Sequence, residues 1–151
     1  MRLKPARLVP RRAALVGLLL AATVAGCASG VALDEPIEAR SWRLTSLNGQ
    51  ALAPASDPAR AAQVQFDGNG RVTGSGGCNR LTGSYQRNGA QLKIGPLAAT
   101  RMACIDPAQG QLESQFLAAL EATTRYSIVG GELVLIDSRG QTLARLGAAN
   151  R

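Results

Sequence analysis

Gly83-Ser84-Tyr85-Gln86-Arg87-Asn88-Gly89-Ala90-Gln91-Leu92-Lys93-Ile94-Gly95 holds two short runs joined by Asn-Gly. Leu92 and Ile94 alternate with polar neighbours, the period of a half-buried strand, and Asn-Gly suits the mirror-image turn of a tight hairpin. Gly83 to Gln86, carrying Tyr85, and Gln91 to Gly95 are therefore read as antiparallel partners. The same grammar recurs on both sides. Ser41 to Leu47 sets Trp42 and Leu44 on one face and stops at Asn48-Gly49, while Gln63 to Asp67 turns Val64 and Phe66 inward before Gly68-Asn69-Gly70 leads into Arg71 to Thr73. Further on, Thr124 to Val129 and Glu132 to Asp137 flank Gly130-Gly131, and Ser138-Arg139-Gly140 opens a last strand, Thr142 to Leu146.

One segment departs from the period of two. Leu112, Phe116 and Leu120 recur every four residues, which places them on one face of a helix. Asp106-Pro107 supplies its start: Asp caps free N–H groups, Pro suits the first helical position, and Gln109 stands where a capping-box partner would. About eight short strands and one helix, nearly all in local hairpins, predict an α+β or mainly-β fold, a curved antiparallel sheet or small barrel with the helix packed on it. Trp42, Phe66, Tyr85, Phe116 and Tyr126 are its aromatics and are assigned to the core.

Ahead of this domain lie Arg2, Lys4, Arg7, Arg11 and Arg12, then an apolar run from Ala13 to Ala25, then Gly26-Cys27. The uncharged stretch of about 14 residues is short against the roughly 20 a spanning helix needs, so it reads as the core of a cleavable export signal. Val24-Ala25-Gly26-Cys27 resembles the lipobox of bacterial lipoproteins, in which the thiol is lipid-modified and becomes the new N-terminus. The resemblance implies residues 1–26 as signal peptide, Cys27 as the lipidation site, and a membrane partner reached through the lipid. Ala28 is not the aspartate that favours inner-membrane retention, so the expected place is the outer membrane, facing the periplasm. Arg11-Arg12 leaves Sec and twin-arginine export both open. Residues 28–39 show no apolar period and are read, with Cys27, as a tether of up to about 40 Å; residues 40–148 are one domain, long enough for a single core.

The whole-chain charge of +7 misleads. Five of the 17 basic residues lie in the signal, which leaves 12 against 10 acidic ones, a mature net charge of +2. With Lys93 its only lysine and no basic run, the mature chain lacks the dense patch that nucleic acid requires. There is no histidine, which removes the usual general base, the His-containing hydrolytic triads and the HExxH zinc site. No catalytic residue, metal ligand or cofactor is nominated.

Gly76-Gly77-Cys78-Asn79-Arg80 with Gly83-Ser84-Tyr85, followed by Leu97-Ala98-Ala99-Thr100-Arg101-Met102-Ala103-Cys104, resembles the signature of the META/HslJ-like domain family. Gly77, Cys78, Asn79, Gly83, Tyr85, Thr100, Arg101, Met102 and Cys104 carry the likeness, which extends from about Arg40 to Gly147. It implies a compact β-rich envelope domain with one helix, no established catalytic activity, and relatives linked to heat-shock, motility and novobiocin-resistance phenotypes.

Read as residues, the same positions take structural roles. In an exported protein Cys78 and Cys104 are the thiols left once Cys27 is modified, and an oxidising compartment favours pairing them over leaving them free. Neither lies in a Cys-x-x-Cys motif that would suit redox catalysis. Gly74, Gly76 and Gly77 around Ser75 match neither a P-loop nor a nucleophile elbow and are read as a tight turn, with Asn79 as turn-former. Arg101 is read as bridging a carboxylate such as Asp67 or Asp137, with a fork for an anionic ligand as the alternative. The functional expectation is a non-enzymatic, lipid-anchored envelope domain supporting envelope integrity or stress tolerance through contact with another envelope protein. An inhibitor of an envelope-directed hydrolase and a carrier of a small apolar ligand are the alternatives.

Overall fold

The computed structural model describes residues 36–149. The expected signal peptide, the lipidated Cys27 and most of the tether lie outside the described residues. Among the described residues the strands are β1 (Ser41–Leu47), β2 (Gln50–Ala51), β3 (Gln63–Phe66), β4 (Arg71–Ser75), β5 (Arg80–Asn88), β6 (Gln91–Ala99), β7 (Arg125–Val129), β8 (Glu132–Ile136) and β9 (Thr142–Ala149), with the helix α1 (Pro107–Ala122) between β6 and β7. They form one sheet in the order β2-β1-β3-β4-β5-β6-β7-β8-β9, and β1 pairs β9 as well, so the curved sheet closes on itself as a ring. Every strand pairing is antiparallel, as the hairpin grammar requires. The tightest turns follow the dipeptides: Asn48-Gly49 and Gly130-Gly131 take positive φ at both positions, the geometry whose twist matches the flanking strands. Between β5 and β6 the two-residue loop is Gly89-Ala90, one residue later than Asn88-Gly89, because Asn88 still pairs with Gln91.

Two departures from the sequence reading have plain causes. β2 has only two residues, too few to show a period. β6 runs past the expected end at Gly95, through Pro96, to Ala99. Its far edge pairs with β7 only at Gln91↔Arg125, so Pro96 removes no ladder bond on that side. There the Leu97 amide donates instead to Glu121 Oε1 of α1 (3.2 Å).

Side chains fill the ring. All five aromatics are buried, and Phe66 meets Tyr85 edge to face at 4.9 Å between centroids. α1 starts as its sequence predicts, with Asp106 Oδ1 accepting from the Ala108 amide (2.9 Å) and Pro107 in the first turn. It lies against β6 and reaches β1 and β9. Phe116, Ala119 and Leu120 enter the core and Leu112 packs at its margin. The folded body also begins earlier than Arg40. Ile37, read as tether, is fully buried; its carbonyl accepts Trp42 Nε1–H at 2.8 Å, and Glu38 bridges to Phe66 of β3. A single buried aliphatic in an acidic, small-residue stretch gives no pattern to read.

Candidate functional site

The signature residues meet where the β4–β5 turn, the segment after β6 and the first turns of α1 converge. Ser75 Oγ accepts from the Gly77 amide (3.0 Å) and the Gly76 amide donates to the Asn79 carbonyl (2.9 Å), which folds the chain sharply beside Cys78. Glu113 of α1 lies against that turn: a Cβ on Gly76 would sit 2.3 Å from Glu113 Cγ, so only glycine admits the helix so closely. Glu113 Oε2 accepts from the backbone amides of Cys78 (3.1 Å) and Asn79 (2.6 Å), and Oε1 accepts from Asn79 Nδ2 (2.7 Å). Glu113 is buried, and among the described residues no basic side chain pairs with it; backbone and amide N–H groups satisfy it instead.

Asn79 is the hub. Its Oδ1 accepts from Thr100 Oγ1 (2.9 Å) and the Met102 amide (2.8 Å), while Nδ2 donates to Glu113 and to the Met102 carbonyl (3.3 Å). Two donors and two acceptor lone pairs are all that a side-chain amide has, so Asn79 keeps no capacity for a ligand. This corrects the turn-former reading: the side chain does not bend back on its own backbone but ties β5, the post-β6 segment and α1 together. Thr100 completes the link, its hydroxyl accepting from the Arg80 amide (3.2 Å) and its amide donating to the Arg80 carbonyl (3.0 Å). Gln109 donates to the Gly77 carbonyl (3.3 Å), so the residue expected to complete a capping box braces the turn. Cys78 and Cys104 are joined as a disulfide across the same junction.

Gly83 pairs with Leu97 and Tyr85 with Ile94 on either side of a register shift in the β5–β6 ladder. The single Tyr85 hydroxyl proton is shared between the Asp67 carbonyl and Glu38 Oε1 (3.0 Å), and Arg87 Nε donates to the same Glu38 oxygen (3.2 Å). Burial, reinforced by the Glu38 carboxylate, pushes the Tyr85 hydroxyl up to about 12. Burial works against Glu38 ionisation, but its own backbone, Tyr85 and Arg87 outweigh it and hold the Glu38 carboxyl below its ordinary value.

The expected Arg101 salt bridge is not formed. Asp67 accepts from the Asn69 and Arg71 amides and Asp137 from the Arg139 and Gln141 amides, each closing its own turn, while Arg101 is exposed and pairs with no described residue. Met102 is 62% exposed although both its backbone polar groups are held by Asn79, and Ile105 is 92% exposed. An open cleft of about 1010 Å³ runs beside them, floored by β4, β5 and the end of β6.

Sequence reasoning missed Glu113 and Glu38. Glu113 was legible: three residues before Phe116 and seven before Leu120, it falls on the inward face of the helix. Glu38, in an unpatterned stretch, offered no signal. Among the described residues no three His, Cys, Asp or Glu side chains gather as a metal site.

A family model for the META domain matches residues 35–150. The heat shock protein HslJ of Escherichia coli (strain K12) is 28% identical over 134 residues, covering 87% of this chain and 91% of HslJ. An NMR structure of a protein from Burkholderia xenovorans has a TM-score of 0.59 at 30% identity, covering 76% of this chain and 85% of that one. The crystal structure of a DUF4847 family protein from Bacteroides vulgatus ATCC 8482 shares the fold, with a TM-score of 0.55 at 16% identity over 76% of this chain and 96% of the other. With a ring of antiparallel strands, one α-helix among the described residues and a Gly-Cys-Asn turn stapled to the segment after Thr-Arg-Met, matched by the family model from residue 35 to 150, the chain belongs to the META domain family.

Proposed function

We propose that this protein is a lipid-anchored, non-enzymatic domain of the bacterial envelope, held at the outer membrane facing the periplasm and acting on another envelope protein by contact. The observation that carries this reading is the use made of the signature residues. Asn79, Glu113 and the two cysteines spend their bonding capacity on holding three elements together, and none is left as a nucleophile, acid or base facing the cleft. The basic-apolar-Gly-Cys leader supports export and anchoring. The likeness to a heat shock protein supports a stress-related task. A carrier role is less well supported, because Trp42, Phe66, Ile94 and Leu135 are all buried in one core.

Replacing Cys27 with Ser and fractionating cells tests the anchor. The expected result is movement of the protein from the membrane to the soluble fraction, and unchanged membrane attachment would refute the reading. Inhibition of lysozymes or proteases by the purified protein would move the function to the inhibitor class.

A further inference from the structure

The segment from Arg101 to Ile105 combines features that seldom coexist. Its backbone is fixed: the Met102 amide and carbonyl are both bonded to a buried asparagine, Thr100 is locked to Arg80, and Cys104 is covalently tied to Cys78. Its apolar side chains nevertheless point to water, Met102 at 62% and Ile105 at 92% exposure. Fixing a backbone in advance lowers the ordering cost of association, and a flexible thioether beside a bulky aliphatic suits an anchor for apolar side chains. The adjoining cleft has one sign of charge. Arg60 and Arg80 line it, among the described residues no aspartate or glutamate does, and Arg80 and Arg101 form no ion pair with a described residue. Arg60 alone is partly engaged, at 3.7 Å from Asp57.

We infer that the cleft beside Met102 and Ile105 docks a segment of a partner protein that carries carboxylates together with bulky apolar side chains. The inference rests on the contact-based reading above and names the partner's chemistry. Apolar side chains of the segment cover Met102 and Ile105, and its carboxylates meet Arg80 and Arg101, which supply orientation and attraction. The docking face lies at the Gln63 end of β3, whereas the chain arrives from its leader at the Phe66 end, where Glu38 is bridged. The cleft thus opens at the end of the strands opposite the one the tether joins.

Fluorescence anisotropy of the detergent-purified full chain, titrated with a short labelled peptide alternating glutamate and leucine, tests this. Saturable binding is expected, weakened by added salt and reduced about tenfold or more by Met102→Ser/Ile105→Ser and, independently, by Arg80→Glu/Arg101→Glu. Val129→Ser, which alters an exposed apolar residue elsewhere, is expected to leave it unchanged. Because the four replaced side chains are exposed, both double variants are expected to keep the parent unfolding midpoint, so lost binding reports the surface and not the fold. Absence of saturable binding, equal binding of a lysine-leucine peptide, equal binding to the Met102/Ile105 variant, or sedimentation showing a second copy on this face would each overturn the inference. The titration needs neither the lipid nor the envelope: its failure would leave the anchoring result standing, and failure of the Cys27→Ser test would leave the titration standing.

Discussion

Glu113 shows how a charged residue is made at home in a core. Its carboxyl oxygens accept three N–H groups, two of them backbone amides of the Cys78-Asn79 turn that would otherwise be orphaned. Glu113→Gln keeps the shape but presents an amide NH2 to donors, and it is expected to lower unfolding free energy by about 1–3 kcal/mol in urea titrations. Tyr85 makes the second residue-scale prediction. Its folded value of about 12 lies above its ordinary 10, so the fold favours the neutral phenol. The corresponding stability is intact below pH 10 and is lost as pH rises from 10 towards 12, roughly 2–3 kcal/mol in all. Tyr85→Phe is expected to start about 1 kcal/mol lower at neutral pH and to lose less across that window; parallel alkaline unfolding curves for the two proteins would refute the assignment. Tyr85 was legible as a core aromatic, but its partners were not, because Glu38 lies 47 residues away in the chain.

At the scale of elements, sequence patterns read well where a period or a turn dipeptide was present. β1 sets Trp42 and Leu44 inward as its alternation requires, β7 and β8 meet at their glycine turn although each buries three successive residues, and α1 follows its four-residue period and the Asp106-Pro107 start. The reading failed where tertiary context decides: β6 crosses Pro96 because its outer edge is free, and Ile37 is buried because Trp42 donates to its carbonyl. The disulfide belongs to this scale, since it staples the β4–β5 turn to the segment leading into α1 across 26 positions. Closing a loop of that length is expected to contribute about 3.5 kcal/mol through the unfolded state. Replacing both cysteines with Ala should therefore shift the urea midpoint markedly downward while leaving the strand content seen by circular dichroism unchanged below the transition. An unshifted midpoint would remove the staple from the account.

For the whole molecule, the ring and its filled core are generic, and the signature is what distinguishes this chain. Trp42, Phe66, Phe116 and Tyr126 fill the interior, and any similar set of apolar side chains of the right volume would serve. The junction of Asn79, Thr100, Met102 and Glu113 is specific, because its polar atoms satisfy one another across three elements and a different residue leaves others unpaired. That junction was visible in the sequence as a family pattern, but its bonding was not, because Asn79 reaches residues 21 to 34 positions away on separate elements. Native-state hydrogen exchange, followed residue by residue in the parent protein and in Asn79→Ala, tests the central claim that the signature is a structural clamp. The clamp predicts a slowly exchanging Met102 amide in the parent, and in the variant a loss of that protection together with a fall of roughly 2–4 kcal/mol in the most protected amides of the sheet. An Asn79→Ala protein with parental protection at Met102 and throughout the sheet would contradict it.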